Sequence, residues 1–303
     1  MAVSVHTANQ AWPALPLAAW QDTYTTLHMW TQIVGKVRLA LSPLVNHWWE
    51  VPLYVNARGL TTSAIPYGNA IFELQFDFLD HKLTIQTSWN SSTSIALKPQ
   101  TVAAFYSEFM AALKSLAIEV KIWTMPVEVP NPIAFEKDTQ HASYDPEYAH
   151  RFWQILILCD TIFKEFRAGF IGKDSPVHFF WGSFDLCVTR FSGRRAPPRP
   201  DADFVTREAY SHEVISAGFW PGGGEIAGPA FYAYAAPEPA GFSQQPVKPP
   251  AASYHPQLHE FLLMYDDVRQ SASPREALLS FLQSTYDAGA NLAHWDRKEL
   301  ERS

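Results

Sequence analysis

His178-Phe-Phe-Trp-Gly-Ser-Phe-Asp-Leu-Cys-Val-Thr-Arg-Phe-Ser-Gly-Arg-Arg195 is the stretch on which the reading of this chain turns. Taken as one strand, its side chains divide with period two between two faces. One face carries Phe180, Phe184, Leu186 and Val188, with His178 and Arg190 at its ends. The other carries Trp181, Ser183, Asp185, Cys187 and Thr189. The first is a core face. The second is too polar for a core and too aromatic for a plain solvent face, so it is expected to line a cleft.

Upstream, Asp145-Pro146 opens a helix that runs to about Phe170, because an Asp side chain caps and proline suits the first turn. An earlier helix spans Trp20–Leu41, with Trp20, Tyr24, Leu27, Trp30, Val34, Val37 and Leu41 as its apolar stripe. One constant offset aligns Trp20-Gln21 with Trp153-Gln154, Ser42-Pro43 with Ser175-Pro176, Trp48 with Trp181, and Leu53 with Leu186. That register predicts internal repeats at 20–123 and 153–235, each built as α-β-β-β-α. Strands are expected at Trp48–Arg58, Phe72–Phe78, Leu83–Thr87, Ile118–Trp123, Tyr210–Phe219 and Phe231–Ala235. A helix is expected near Thr101–Leu116. Residues 1–18 read as an irregular arm, and 236–253 as a connecting loop or a lid. Pro256–Tyr265 and Pro274–Ala290 read as helices, giving a helical C-terminal region over 254–300. The fold class is therefore α+β, with pseudo-duplicated antiparallel sheet halves flanked by helices.

The chain has 303 residues, 14% of them aromatic and only 17% charged, which calls for a large aromatic core or an aromatic-lined pocket. A net charge of −7 argues against nucleic acid as a main partner. Two cysteines, Cys159 and Cys187, in no framework spacing point to a reducing, cytoplasmic setting. No signal-peptide pattern and no apolar run of membrane-spanning length is present.

Three segments carry a resemblance: His178–Pro198, the run from Tyr210 to Pro221, and Thr285-Tyr-Asp-Ala-Gly-Ala-Asn-Leu-Ala-His-Trp-Asp296. They are similar to bacterial and fungal proteins grouped as domain of unknown function 5996, from about Trp20 to Arg297. The resemblance implies one unit over 1–303. It implies no activity, cofactor or catalytic residue.

The chemistry is read from the residues alone. His178, Asp185, His212 and Glu213 would bring imidazoles and carboxylates together if their two strands pair, for acid–base work or for a metal. On a single strand, however, His178 and Asp185 take opposite faces about 23 Å apart. Arg190, Arg194 and Arg195, beside Ser192-Gly193, could clamp an anionic group, although no phosphate-loop spacing is present. Glu147-x-x-His150 and His255-x-x-x-His259 have helical metal spacings but lack the remaining ligands.

The expectation is a protein that binds, and in an extended version converts, a small organic and partly anionic molecule in an aromatic cleft. Trp48, Trp181 and His178 would line the cleft, and Arg190, Arg194 or Arg195 would hold the anion. His212, Asp185 and Glu213 are the candidate catalytic groups. One alternative is a non-catalytic interaction or homo-oligomerisation protein, which needs a flat exposed apolar patch. Another is a metal-dependent hydrolase, which needs three ligands from His178, His212, Glu213, Asp185 and His141. No metal site and no cofactor is assigned.

Overall fold

Leu17–Leu41 forms α1, and its middle is buried on every side rather than along one stripe. In the computed structural model, which describes residues 12–302, this helix is the centre of the core. Residues 1–11 of the expected arm lie outside the described residues. The first sheet follows: β1 (Tyr54–Val55), β2 (Gly59–Thr61), β3 (Ile65–Tyr67), β4 (Ala70–Asp77), β5 (Lys82–Thr87) and β6 (Ser92–Ala96). Its order is β1-β2-β4-β5-β6, with β3 also pairing β4, and α2 (Val102–Ser115) closes it.

Trp48–Arg58 is not the expected strand. His47 and Trp48 both sit in the left-handed region, at φ 62° and 61°, and Pro52 removes a ladder donor. The result is a 3-10 turn at Asn46–Trp48 and only two strand residues at β1. Ile118–Trp123 joins no ladder either.

The second half opens on α3 (Pro146–Ala168), capped as expected by Asp145, which accepts from the Glu147 and Tyr148 amides. There follow β7 (His178–Phe180), β8 (Asp185–Arg195), α4 (Phe204–Ala209), β9 (His212–Trp220), β10 (Ala230–Ala236), β11 (Ser253–His255) and β12 (Glu260–Met264). These strands form a second six-stranded antiparallel sheet in the order β11-β12-β10-β9-β8-β7. The C-terminal region is helical: α5 (Tyr265–Arg269), α6 (Pro274–Leu292) and α7 (Arg297–Leu300).

The expected helix at Pro256–Tyr265 is instead the β11–β12 hairpin. Its short apolar run fits either period, and pairing against β10 decides it. The loop 236–253 tucks Phe242 against Phe261 at 5.0 Å, on the core side of the sheet.

The architecture is α+β, with seven helices among the described residues and two antiparallel sheets. Each half runs helix, antiparallel sheet, helix, with different strand orders in the two sheets. Mutual backbone hydrogen bonds between Leu53 and Phe179, both 2.9 Å, tie the sheets together. Among the described residues, no helix is long and apolar enough to cross a membrane.

Candidate functional site

The stretch from His178 to Arg195 is a tight hairpin, not one strand. Residues 181–184 turn, Phe184 takes φ 59°, and its amide bonds the Phe180 carbonyl at 2.8 Å. His178 therefore lies opposite Cys187, and Phe180 opposite Asp185. Residues opposite each other share a face, so His178 and Phe180 join Asp185, Cys187 and Thr189 instead of the core side. His178 and Asp185 are diagonal neighbours, about 7–8 Å apart at the backbone rather than about 23 Å.

That shared face is the floor of a cavity of about 920 Å³. The sheet sets it out in rungs. Cys187, Gly218 and Tyr232 stand side by side on β8, β9 and β10, and Thr189, Ser216 and Tyr234 form the next rung. Gly218 has no side chain, and the Tyr232 ring lies across it; a Cβ there would collide with the ring. This lets the Tyr232 hydroxyl donate to Asp185, which also accepts from Ser183. The hydroxyls of Thr189 and Ser216 bond at 2.9 Å, as do those of Tyr210 and Tyr234. Glu260, at the start of β12, completes the polar floor.

One wall is set by α1. His28, Gln32 and Lys36 recur every four residues, so they share one face of the helix. His28 donates to the Gly182 carbonyl at 2.8 Å. Gln32 bonds both backbone groups of Val127, at 2.8 and 2.9 Å, and Lys36 donates to the Met125 carbonyl at 2.8 Å. This stripe holds segment 125–128 in place and so presents Glu128, at φ 55°, to the cavity. A Cβ on Gly182 would stand 2.5 Å from Glu128 Oε1, so glycine there leaves room for the carboxylate. Trp181 packs on α1 at Gly35 and donates from Nε1 to the Val51 carbonyl at 2.8 Å.

The rim is built from the 3-10 turn and α4. Trp48 donates to the Val205 carbonyl at 3.2 Å and meets Phe204 edge-on. His47 Nδ1 donates to the Ala209 carbonyl at 3.1 Å, which leaves Nε2 to accept from Lys173 at 2.7 Å. Burial, with Lys173 and His212 close by, holds the His47 pKa below its ordinary value.

The electrostatics of the interior are unusual. Burial raises the Asp185 pKa against its two hydrogen bonds. Burial and then the charge of Asp185 raise Glu260 to about 7 and push Glu128 up as well. Among the described residues, no basic side chain stands against any of the three to lower it. His178 is 1% exposed, lines the cavity, and among the described residues has no hydrogen-bond partner on either ring nitrogen. Burial, helped by the charges of Arg38 and Arg167, lowers its pKa to about 3, so it is neutral. A buried imidazole without partners sits at a cost that a polar partner in the cavity would relieve. Cys187 is also on the floor, but burial pushes its thiol well up, away from nucleophilic use.

Of the nine residues singled out from the sequence, Trp48, Trp181, His178 and Asp185 line the cavity. The other five do not. Arg190 belongs to the opposite face, where its guanidinium stacks 3.5 Å from the Phe166 ring centre and bonds that residue's carbonyl. Arg194 pairs with Glu213 at 2.7 Å and reaches the Ala293 and His294 carbonyls, so both serve to dock the end of α6. Arg195 is exposed, opposite His212. His212 stands just past the rim, 5.6 Å from the His47 ring.

His141 is bonded to Asp138 at 2.7 Å. Among the described residues, no three His, Cys, Asp or Glu side chains form a set able to hold a metal, so the hydrolase reading has no ligand set. Sequence reasoning missed Lys36, Glu128, Tyr232 and Glu260. Lys36 looks like the solvent face of an amphipathic helix, and Glu260 fell in a segment read as a helix.

A second hollow of about 610 Å³ shares Glu128, Ser183 and Trp220 with the first. The sequence model of the Family of unknown function (DUF5996) matches residues 12–302, and the chain belongs to that family. No curated protein and no solved structure matches it.

Proposed function

We propose that this family member binds a small organic molecule with a flat apolar body and a basic nitrogen. The observation that carries the reading is that Asp185, Glu128 and Glu260 face one aromatic-walled cavity and that, among the described residues, no arginine or lysine is paired to any of them. Three carboxylates around one cavity, Asp185 buried, Glu260 half-buried and Glu128 more exposed, hold protons more readily where their charges repel, and a cation lets them ionise. The partnerless His178 is a second, independent sign of a missing polar group. The cavity volume of about 920 Å³ suits a small ligand.

Within this reading Asp185 keeps the acid–base role, with Tyr232 as its partner, while Trp48, Trp181 and His178 are ligand contacts. The anion-clamp role drops out of this reading for Arg190 and Arg194, whose guanidinium groups are engaged with Phe166 and Glu213, and Arg195 lies outside the cavity lining. The like order of elements in the two halves supports a common ancestor for them, with the ligand site built on the second.

Benzylamine and its neutral isostere benzyl alcohol test the proposal by calorimetry at pH 6 and pH 8. Benzylamine should bind more tightly at pH 8 and release protons on binding, and Glu260→Gln should weaken it. Equal binding of the alcohol, or no binding of the amine, would overturn the reading.

Leu44, Val45, Phe204 and Val205 are exposed around Trp48 at the rim. They favour a second reading, self-association through that patch. Sedimentation of wild type against Phe204→Ser tests it: a monomer in both rules it out.

A further inference from the structure

Lys36 is a buried amine that, among the described residues, has no carboxylate paired to it. It is 4% exposed, it lines the cavity, and its one hydrogen bond is to the Met125 carbonyl. Three aromatic rings surround the nitrogen, those of Trp123 at 4.6 Å, Phe135 at 5.8 Å and Trp181 at 5.9 Å. Among the described residues no ion pair offsets the loss of water that burying a charged amine entails. Anchoring one carbonyl needs only a neutral donor; a glutamine does the same for Val127 one turn earlier.

We propose that Lys36 captures a carbonyl compound, an aldehyde or ketone on a planar apolar body, as an imine within the cavity. The proposal rests on the cavity being a small-molecule site. The deprotonated amine lone pair attacks the carbonyl carbon, and a C–N bond forms as the C=O π pair moves to oxygen. The oxygen takes up a proton and the nitrogen gives one up, leaving a carbinolamine. A carboxylic acid of the cavity then protonates that hydroxyl, which departs as water while the nitrogen lone pair makes the C=N bond. The balance is amine plus carbonyl to protonated imine plus water, with the proton drawn from the acid and no oxidation or reduction.

The surroundings suit each stage. Burial lowers the Lys36 pKa to about 8, so a usable fraction is free amine near neutrality. Glu260, with its pKa raised to about 7, is a proton donor in the same cavity. The product imine is a cation at the same nitrogen, so the rings that faced an ammonium still face positive charge.

The test is benzaldehyde with cyanoborohydride on the wild-type protein at pH 8, followed by peptide mapping, with benzylamine binding measured on the same sample. Lys36 should be alkylated at least about tenfold faster than any other lysine, and benzylamine should slow it. Labelling of surface lysines with Lys36 untouched would overturn the inference. If benzylamine still binds in that case, the cavity reading survives and only the imine fails; if neither reacts nor binds, both fall. Rapid labelling of Lys36 without benzylamine binding would keep the imine and remove the cation reading.

Discussion

The Tyr232 ring lies over Gly218, and its hydroxyl reaches Asp185 two strands away. A methyl group at 218 has no free space, since it would meet both the ring and the Leu186 carbonyl. Gly218→Ala should therefore push Tyr232 off Asp185. We expect a stability loss of about 1–3 kcal/mol from overpacking, together with lost benzylamine binding. Urea unfolding and calorimetry check both, and unchanged binding would show that the Tyr232–Asp185 contact is dispensable.

Glu260 gives a pH signature of its own. Its folded pKa of about 7 lies above the ordinary 4.5, so the folded state holds the extra proton between those values. Stability from this group is present below pH 4.5 and is lost as pH rises through 7. Glu260→Gln should remove that loss and stabilise the ligand-free protein by about 3 kcal/mol at pH 8. A melting curve at pH 8 no higher than wild type would contradict it.

His28 has the opposite sign. Burial depresses its pKa from 6.5 to about 4, so the unfolded chain takes up the proton first. Stability falls as pH drops from about 6.5 towards 4, by about 3 kcal/mol in all. His28→Gln should flatten the acid limb of a stability–pH profile; an unchanged limb would assign it to other groups.

Arg190 separates structure from site. The residue is 2% exposed and its guanidinium sits among Phe166, Phe170 and Tyr286, on the face away from the cavity. Arg190→Ala should cost about 2–4 kcal/mol in urea unfolding, through lost stacking and an orphaned carbonyl, while benzylamine affinity stays the same. A fall in affinity at full folding would bring Arg190 back into the ligand argument.

What could be read from the chain follows from how local each signal is. Asp145-Pro146 stated its helix because a cap and a first-turn proline act within four residues. The shared face of Asp185, Cys187 and Thr189 was legible because alternation survives in any sheet. The hairpin inside that stretch was hidden: its turn uses Phe184 with positive φ, where glycine or asparagine is the usual mark. Mistaking it for one strand put His178 on the wrong face. Arg190 misled for a related reason, as parity alone cannot tell an anion site from an aromatic stack. Lys36, Glu128 and Glu260 come from three distant segments, and only the assembled fold brings them to one cavity.

That assembly also dictates when the hollow can exist during synthesis. Lys36 leaves the ribosome long before Glu260, and at about 5–20 residues per second the interval is roughly ten to forty-five seconds. For that time the nascent chain carries tryptophans 48, 49 and 123 with no floor to cover them. Chaperone dependence is then expected to centre on the first half, and a cavity-filling compound added during translation should raise yield only after the final strand has emerged.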